Sequence, residues 1–181
     1  KSGVLGINVG PNKESNDRLK DYLIGYKTFH EVADYITINI SSPNTENLRN
    51  FHEKSKLQEL LESILREKTN LNSNTPIAVK ISPDINENQI NLISEILLEN
   101  EIQAIIISNT SETLRDKLSN IQRHQKGGLS GKPIEEKSNI LIGKFYKLLK
   151  GKIKIIGVGG VDCGKAAYDK FTSGADFVQL Y

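Results

Sequence analysis

The chain has 181 residues, with 24 basic and 22 acidic side chains and a formal net charge of +2. That balance excludes the concentrated basic surplus of a non-specific nucleic-acid binder. Its 37% hydrophobic and 25% charged residues are ordinary for a globular chain, no apolar run reaches the roughly 18 residues of a spanning helix, and one cysteine, Cys163, excludes a disulfide framework. In chain order the apolar patterning predicts strand Val4–Asn8, helix Ser15–Val32, strand Tyr35–Ile40, helix Lys56–Lys68 and an Asn-rich solvated loop over Thr69–Thr75. There follow strand Ile77–Ile81, helix Glu87–Glu99, strand Ala104–Ser108, helix Glu135–Leu149, strand Ile153–Val158, helix Lys165–Thr172 and strand Phe177–Tyr181. In Glu87–Glu99 an apolar face of Ile90, Ile93, Ile96, Leu97 and Leu98 opposes Glu87, Asn91 and Glu95, and Asn86 is placed to cap its first turn.

The strands are near-continuous apolar runs, as parallel strands buried on both faces require. Strand–helix alternation through six strands predicts a parallel α/β fold, either an open doubly wound sheet or a (β/α)8 TIM barrel. The barrel is favoured, incomplete in this chain and holding about strands 3 to 8. The lack of any methionine, and a final strand pattern with no turn after it, add the expectation that both ends cut through a larger fold. The opening carries no secretory-leader pattern, so a reducing compartment is expected.

Both architectures place chemistry at the C-terminal ends of their strands. Those ends read Asn8, Asn39 running into Ser41-Ser42-Pro43-Asn44, Lys80, Ser108-Asn109-Thr110, Gly157-Val158-Gly159-Gly160 and Tyr181. Asn and Ser often start turns after strands, but four such ends in succession form an amide-and-hydroxyl surface suited to a planar ligand with alternating C=O and N–H groups. Lys80, ending a buried strand, needs an anion or electron-rich ligand unless it snorkels to solvent. The glycine turn at 157–160, followed by a helix near Lys165, offers bare backbone N–H groups and a positive helix end to a phosphate, and Gly127-Gly128-Leu129-Ser130-Gly131 supplies a second jaw.

Other patterns lead elsewhere. Asp162 occupies the third glycine position of a GxGxxG fingerprint, and Pro133 replaces the Ser/Thr of a P-loop. His30, His52 and His124 lack metal-ligand spacing and are expected at the surface, so no metal site is expected. Cys163 starts a helix with no base nearby in sequence and is expected to be structural.

The runs Ile38-Asn39-Ile40-Ser41-Ser42-Pro43-Asn44-Thr45, Val79-Lys80-Ile81-Ser82-Pro83-Asp84, Ser108-Asn109-Thr110, Gly127–Gly131 and Ile155–Gly160 resemble the dihydroorotate dehydrogenase family, in order and from Gly6 to Tyr181. The resemblance implies an FMN-bearing (β/α)8 barrel that oxidises dihydroorotate to orotate in pyrimidine (UMP) biosynthesis. It implies Ser42 as the catalytic base; a serine there, where class 1 members carry cysteine, points to class 2, whose electrons pass to a membrane quinone. It further implies FMN contacts from Asn8, Asn39, Lys80, Ser108, Gly131, Gly159, Gly160 and Tyr181, and substrate contacts from Asn39, Asn44, Asn109 and Thr110. Residues 1–181 are then a partial FMN-binding barrel domain, with the first barrel units and the N-terminal membrane and quinone helices upstream. Localisation would be peripheral on an inner membrane, on the bacterial cytoplasmic face or in the mitochondrion. Two other readings of the same residues stay open: a related FMN barrel reductase acting on another pyrimidine, and a barrel fragment that binds a phosphate ligand without turnover.

Overall fold

The computed structural model describes residues 3–45, 48–116 and 118–181. Six parallel strands form one sheet: β1 (Gly6–Val9), β2 (Tyr35–Asn39), β3 (Ile77–Lys80), β4 (Ala104–Ile107), β5 (Lys154–Val158) and β6 (Phe177–Gln179). Their spatial order is their chain order. That order decides between the two architectures left open by patterning. A doubly wound sheet reverses strand order at a switch point and so carries helices on both faces. With no reversal, right-handed crossovers put every helix on one face of the sheet.

The connecting helices are α1 (Arg18–Phe29), α2 (Lys54–Asn70), α3 (Glu87–Glu99), α4 (Glu135–Leu149) and α5 (Gly164–Thr172). Each packs on the next in chain order, α1 on α2 through α4 on α5, as an outer layer wrapped around a curved sheet requires. The bend brings Gln179, at the end of β6, within 3.0 Å of the Tyr35 hydroxyl at the start of β2, and the amide donates to it. The fold is an incomplete (β/α)8 barrel. Its main core lies between the sheet and the helix layer, where Ile36 and Ile38 of β2 join Leu57, Leu60, Leu61 and Ile64 of α2 and Ile93 and Leu97 of α3 in one fully buried cluster. No helix among the described residues is long and apolar enough to cross a membrane.

Helix ends follow their caps. Asn86 and Gln89 form a reciprocal capping box, each side chain accepting from the other's backbone N–H at 3.0 Å, so α3 has the bounds the sequence predicts. By contrast α1 starts at Arg18 because Asp17 caps it, accepting from Lys20 N at 3.0 Å, and it stops at Phe29. The expected Ser15–Val32 helix is therefore shorter at both ends. Helix α2 runs two residues further each way and absorbs Thr69 and Asn70, and what remains of the Asn-rich loop is tied down, with Tyr26 donating to Ser73 Oγ at 3.1 Å. Strand β1 is shifted to Gly6–Val9, leaving Val4 79% exposed, and β6 stops before Leu180 and Tyr181.

Candidate active site

Because all strands run the same way, ladder register alone gathers the polar strand ends on one rim. Asn39 is paired with Lys80 across β2 and β3, Lys80 with Ile106 across β3 and β4, and Ile107 with Gly157 across β4 and β5. A cavity of about 540 Å³ opens on this rim. Lys80, Ser108, Asn109 and Thr110 line it from β3 and from the segment after β4; Gly131, Gly159, Gly160 and Tyr181 line it from the loops that follow.

Lys80 Nζ has no hydrogen-bond or ion-pair partner among the described residues, and burial lowers its pKa. An ammonium partly withdrawn from water and without a partner is stabilised by a ligand that brings negative charge. On the far side the two glycine turns are held together. Gly159 (φ +108°) and Gly160 (φ +73°) adopt backbone conformations that L side chains avoid, and a β-carbon at Gly160 would lie 2.5 Å from Glu135 Cβ. Lys132 clasps this turn to the Gly131 loop, with Nζ 2.6 Å from Glu135 Oε2 and 3.3 Å from Asp162 Oδ1. The lining ends at Asp162, two residues before α5, so the glycine turn itself and not the start of that helix borders the cavity.

The amides behind Lys80 form a closed set of contacts. Asn109 Nδ2 donates to Ser41 Oγ at 3.0 Å and to Asn39 Oδ1 at 3.3 Å, and Ser41 Oγ donates to the Lys80 carbonyl at 2.8 Å. The hydroxyl of Tyr22 reaches in from α1 to the Asn39 carbonyl at 2.6 Å, and burial raises its pKa. Asn109 Oδ1 accepts from Thr110 N at 2.8 Å, and Ser108 Oγ donates to the Asn109 carbonyl at 3.1 Å. Asn39 is therefore joined to the cavity through Asn109. Ser41 and Tyr22 escape sequence reasoning, because nothing in their local patterns marks a buried residue whose hydroxyl bonds the backbone of a strand end.

Besides Asn39, three more expected site residues, Asn8, Ser42 and Asn44, lie outside the cavity lining. Asn8 is exposed on the outer strand β1. Ser42 is half-buried, its Oγ accepting from Asn44 N at 3.3 Å, and Asn44 is exposed. The turn of Ser42 and Asn44 nevertheless comes close to the Thr110 segment, since a β-carbon at Gly128 would overlap Thr110 Oγ1 and sit 3.0 Å from Pro43 Cγ. His52 is not at the surface: it is 1% exposed, Nδ1 donates to the Arg49 carbonyl at 2.8 Å and Nε2 accepts from Ser82 N at 3.2 Å. Cys163 is exposed at the N-cap of α5, with no capping bond from its side chain, so the structural role expected for it finds no packing to support it.

The comparison with known families settles what this rim belongs to: the profile of the dihydroorotate dehydrogenase family matches residues 1–181. The chain belongs to that family. It is 41% identical over 185 residues to a protein of Chelativorans sp. (strain BNC1) and 43% identical over 181 residues to one of Mesorhizobium japonicum, both named dihydroorotate dehydrogenase (quinone). The matches cover 100% of this chain but 51% and 50% of those proteins, so the chain spans about half the length of the curated relatives it matches. Among solved structures, the crystal structure of Eimeria tenella DHODH in complex with ferulenol superposes with a TM-score of 0.94 at 30% identity, over 98% of this chain and 52% of that one. The ligand-free form of the same enzyme gives 0.93 at 29% identity, over 100% and 55%. The family resemblance carried by the sequence motifs holds, as does the incomplete barrel.

Proposed function

We propose that this chain forms the greater part of the catalytic barrel of a quinone-linked, FMN-dependent dihydroorotate dehydrogenase, which makes orotate for pyrimidine biosynthesis. The remaining barrel units, and the helices that meet quinone and the membrane surface, would belong to the rest of the protein. The observation that carries this reading is the cavity that sets a partnerless lysine opposite crowded glycine turns and beside an amide-and-hydroxyl wall.

The residues fit FMN. Gly131, Gly159 and Gly160 suit its phosphate, because backbone approach there is unobstructed by side chains. Lys80 and Ser108 suit the polar edge of its ring system, and Asn8, Asn39 and Tyr181 complete the set that the resemblance implies. When bound, FMN supplies the two-electron acceptor for the hydride that leaves C6 of dihydroorotate.

The chain's own residues would do the remainder. Oxidation removes a proton from C5 and a hydride from C6, and a C5=C6 double bond forms. Ser42 Oγ takes the C5 proton, passing its own on through a neighbouring hydroxyl or water. Asn39, Asn44, Asn109 and Thr110 hold the pyrimidine by its alternating donors and acceptors, which fixes the direction of proton removal. Lys80 directs positive charge to where negative charge accumulates as the hydride leaves.

The test is Ser42→Ala in the full-length protein. Flavin content should stay at the wild-type level while reduction by dihydroorotate slows roughly 10²–10⁴-fold, the range for removal of a positioned base. Unchanged anaerobic reduction kinetics would remove Ser42 from this role.

A further inference from the structure

The polar groups that face the ligand are held by a second set that does not line the cavity, and most of it converges on one carboxylate. Asp84 follows β3 on the same loop as Ser82, and its side chain is only 6% exposed. Its Oδ1 accepts from Ser111 Oγ at 2.7 Å, Thr113 Oγ1 at 2.8 Å and Lys137 Nζ at 2.8 Å. Its Oδ2 accepts from Glu112 N at 2.7 Å and Arg49 Nη1 at 3.0 Å. Five donors from three different segments thus meet one group. They come from the 3-10 turn Leu48–His52, from the loop after β4 and from α4.

What these donors hold bears directly on Thr110. Arg49 spans the gap, with Nη1 on Asp84 and Nη2 donating to the Thr110 carbonyl at 3.1 Å. The next residue, Ser111, is fixed to Asp84 by its hydroxyl and to Leu129 by two backbone hydrogen bonds of 2.9 and 2.7 Å. That pairing lays Gly128 against the Thr110 side chain. Thr110 is therefore gripped at its carbonyl, at its successor and across its side chain. Asn109 just before it is held by Ser41 and Asn39. Burial pushes the Asp84 carboxyl up, but the hydrogen bonds from Lys137, Ser111, the Glu112 N–H and Thr113 outweigh it and hold the group well below the usual carboxylate range.

We infer that Asp84, acting through Arg49 and Ser111, is a positioning residue that sets the register of the Asn109–Thr110 pair against the pyrimidine. The inference rests on the reading above, in which that pair contacts substrate. It separates two functions of one rim: the Asp84 network governs the pyrimidine, whereas Lys80 and the glycine turns govern FMN.

The experiment compares Asp84→Asn, Arg49→Lys and Thr110→Val in the full-length holoenzyme. Asp84→Asn keeps the shape and loses the charge; Arg49→Lys keeps the charge and loses the second N–H that reaches Thr110. Each should raise KM for dihydroorotate and weaken orotate binding about tenfold, with kcat lowered less than KM is raised and flavin content unchanged. In the Thr110→Val background, adding Asp84→Asn should cost little more, because the two changes remove one interaction. An unchanged KM, additive losses, or a parallel loss of flavin from both Asp84→Asn and Arg49→Lys overturns the inference. If Asp84→Asn does not fold, Arg49→Lys decides alone. A wild-type enzyme that neither oxidises dihydroorotate nor binds orotate overturns the functional reading, and this inference with it.

Discussion

At the scale of single residues, His52 shows how a group without chemistry can set pH dependence. Its two ring nitrogens serve the Arg49 carbonyl and the Ser82 N–H, and that arrangement exists only for the neutral ring. Burial pushes the imidazole down from 6.5 to about 4. Folding therefore favours the deprotonated form, and the stability this contributes is fully present above pH 6.5 and is lost as pH falls through about 4. The 3-10 turn carrying Arg49 should loosen from the loop carrying Ser82 and Asp84 over that interval. Thermal melts of the full-length protein should show Tm falling between pH 6.5 and 4, and His52→Gln should flatten that part of the profile. If wild type and variant keep parallel profiles, His52 is not the titrating group. Lys80 illustrates the opposite economy, since burial without a partner leaves a cation whose stabilisation awaits a ligand.

At the scale of elements, the glycine turn after β5 is defined by what lies behind it. Glu135, the first residue of α4, presses on Gly160 so closely that a β-carbon there would sit 2.9 Å from Glu135 Cα. Gly160→Ala adds backbone strain at φ +73° to that overlap, so the turn must move. FMN retention by the full-length protein should fall at least about tenfold while orotate binding to the flavin-loaded fraction changes less, the two being separated by equilibrium dialysis and flavin fluorescence. Retention at the wild-type level would place the phosphate elsewhere. How far such features can be read without a structure depends on how local their causes are. The bounds of α3 follow from Asn86 and Gln89, three residues apart, and α4 likewise has the bounds its apolar pattern predicts. The polar strand ends are equally legible, because an Asn, Lys or Gly stands where an apolar run stops. The 3-10 turn Leu48–His52, the Ser111–Leu129 bridge and the buried state of His52 are not, since Arg49 meets Asp84, His52 meets Ser82 and Ser111 meets Leu129 only across intervening strands, helices or loops. Ser41 and Asp84 belong to the same class: each is a common turn residue locally and a junction only after the strands are side by side.

At the scale of the molecule, sequential strand order and one-sided helices make the sheet an arc with β1 and β6 as its outer strands. Those margins leave apolar side chains uncovered, with Phe177 57%, Leu180 71% and Val4 79% exposed. Burial of such residues against further strands is the driving force for closing a barrel, and unpaired edges are otherwise templates for aggregation. The arc nonetheless assembles the rim: Asn39, Lys80, Asn109 and Gly160 come from four successive strand ends, and the parallel ladder alone brings them to one side. The claim that this rim oxidises dihydroorotate is tested most directly by mixing the full-length protein anaerobically with dihydroorotate, and separately with dihydrouracil, while following flavin absorbance. The protein should purify with oxidised flavin that bleaches with dihydroorotate and keeps its spectrum with dihydrouracil. A protein without flavin, or a flavin that dihydroorotate leaves oxidised, would contradict the account.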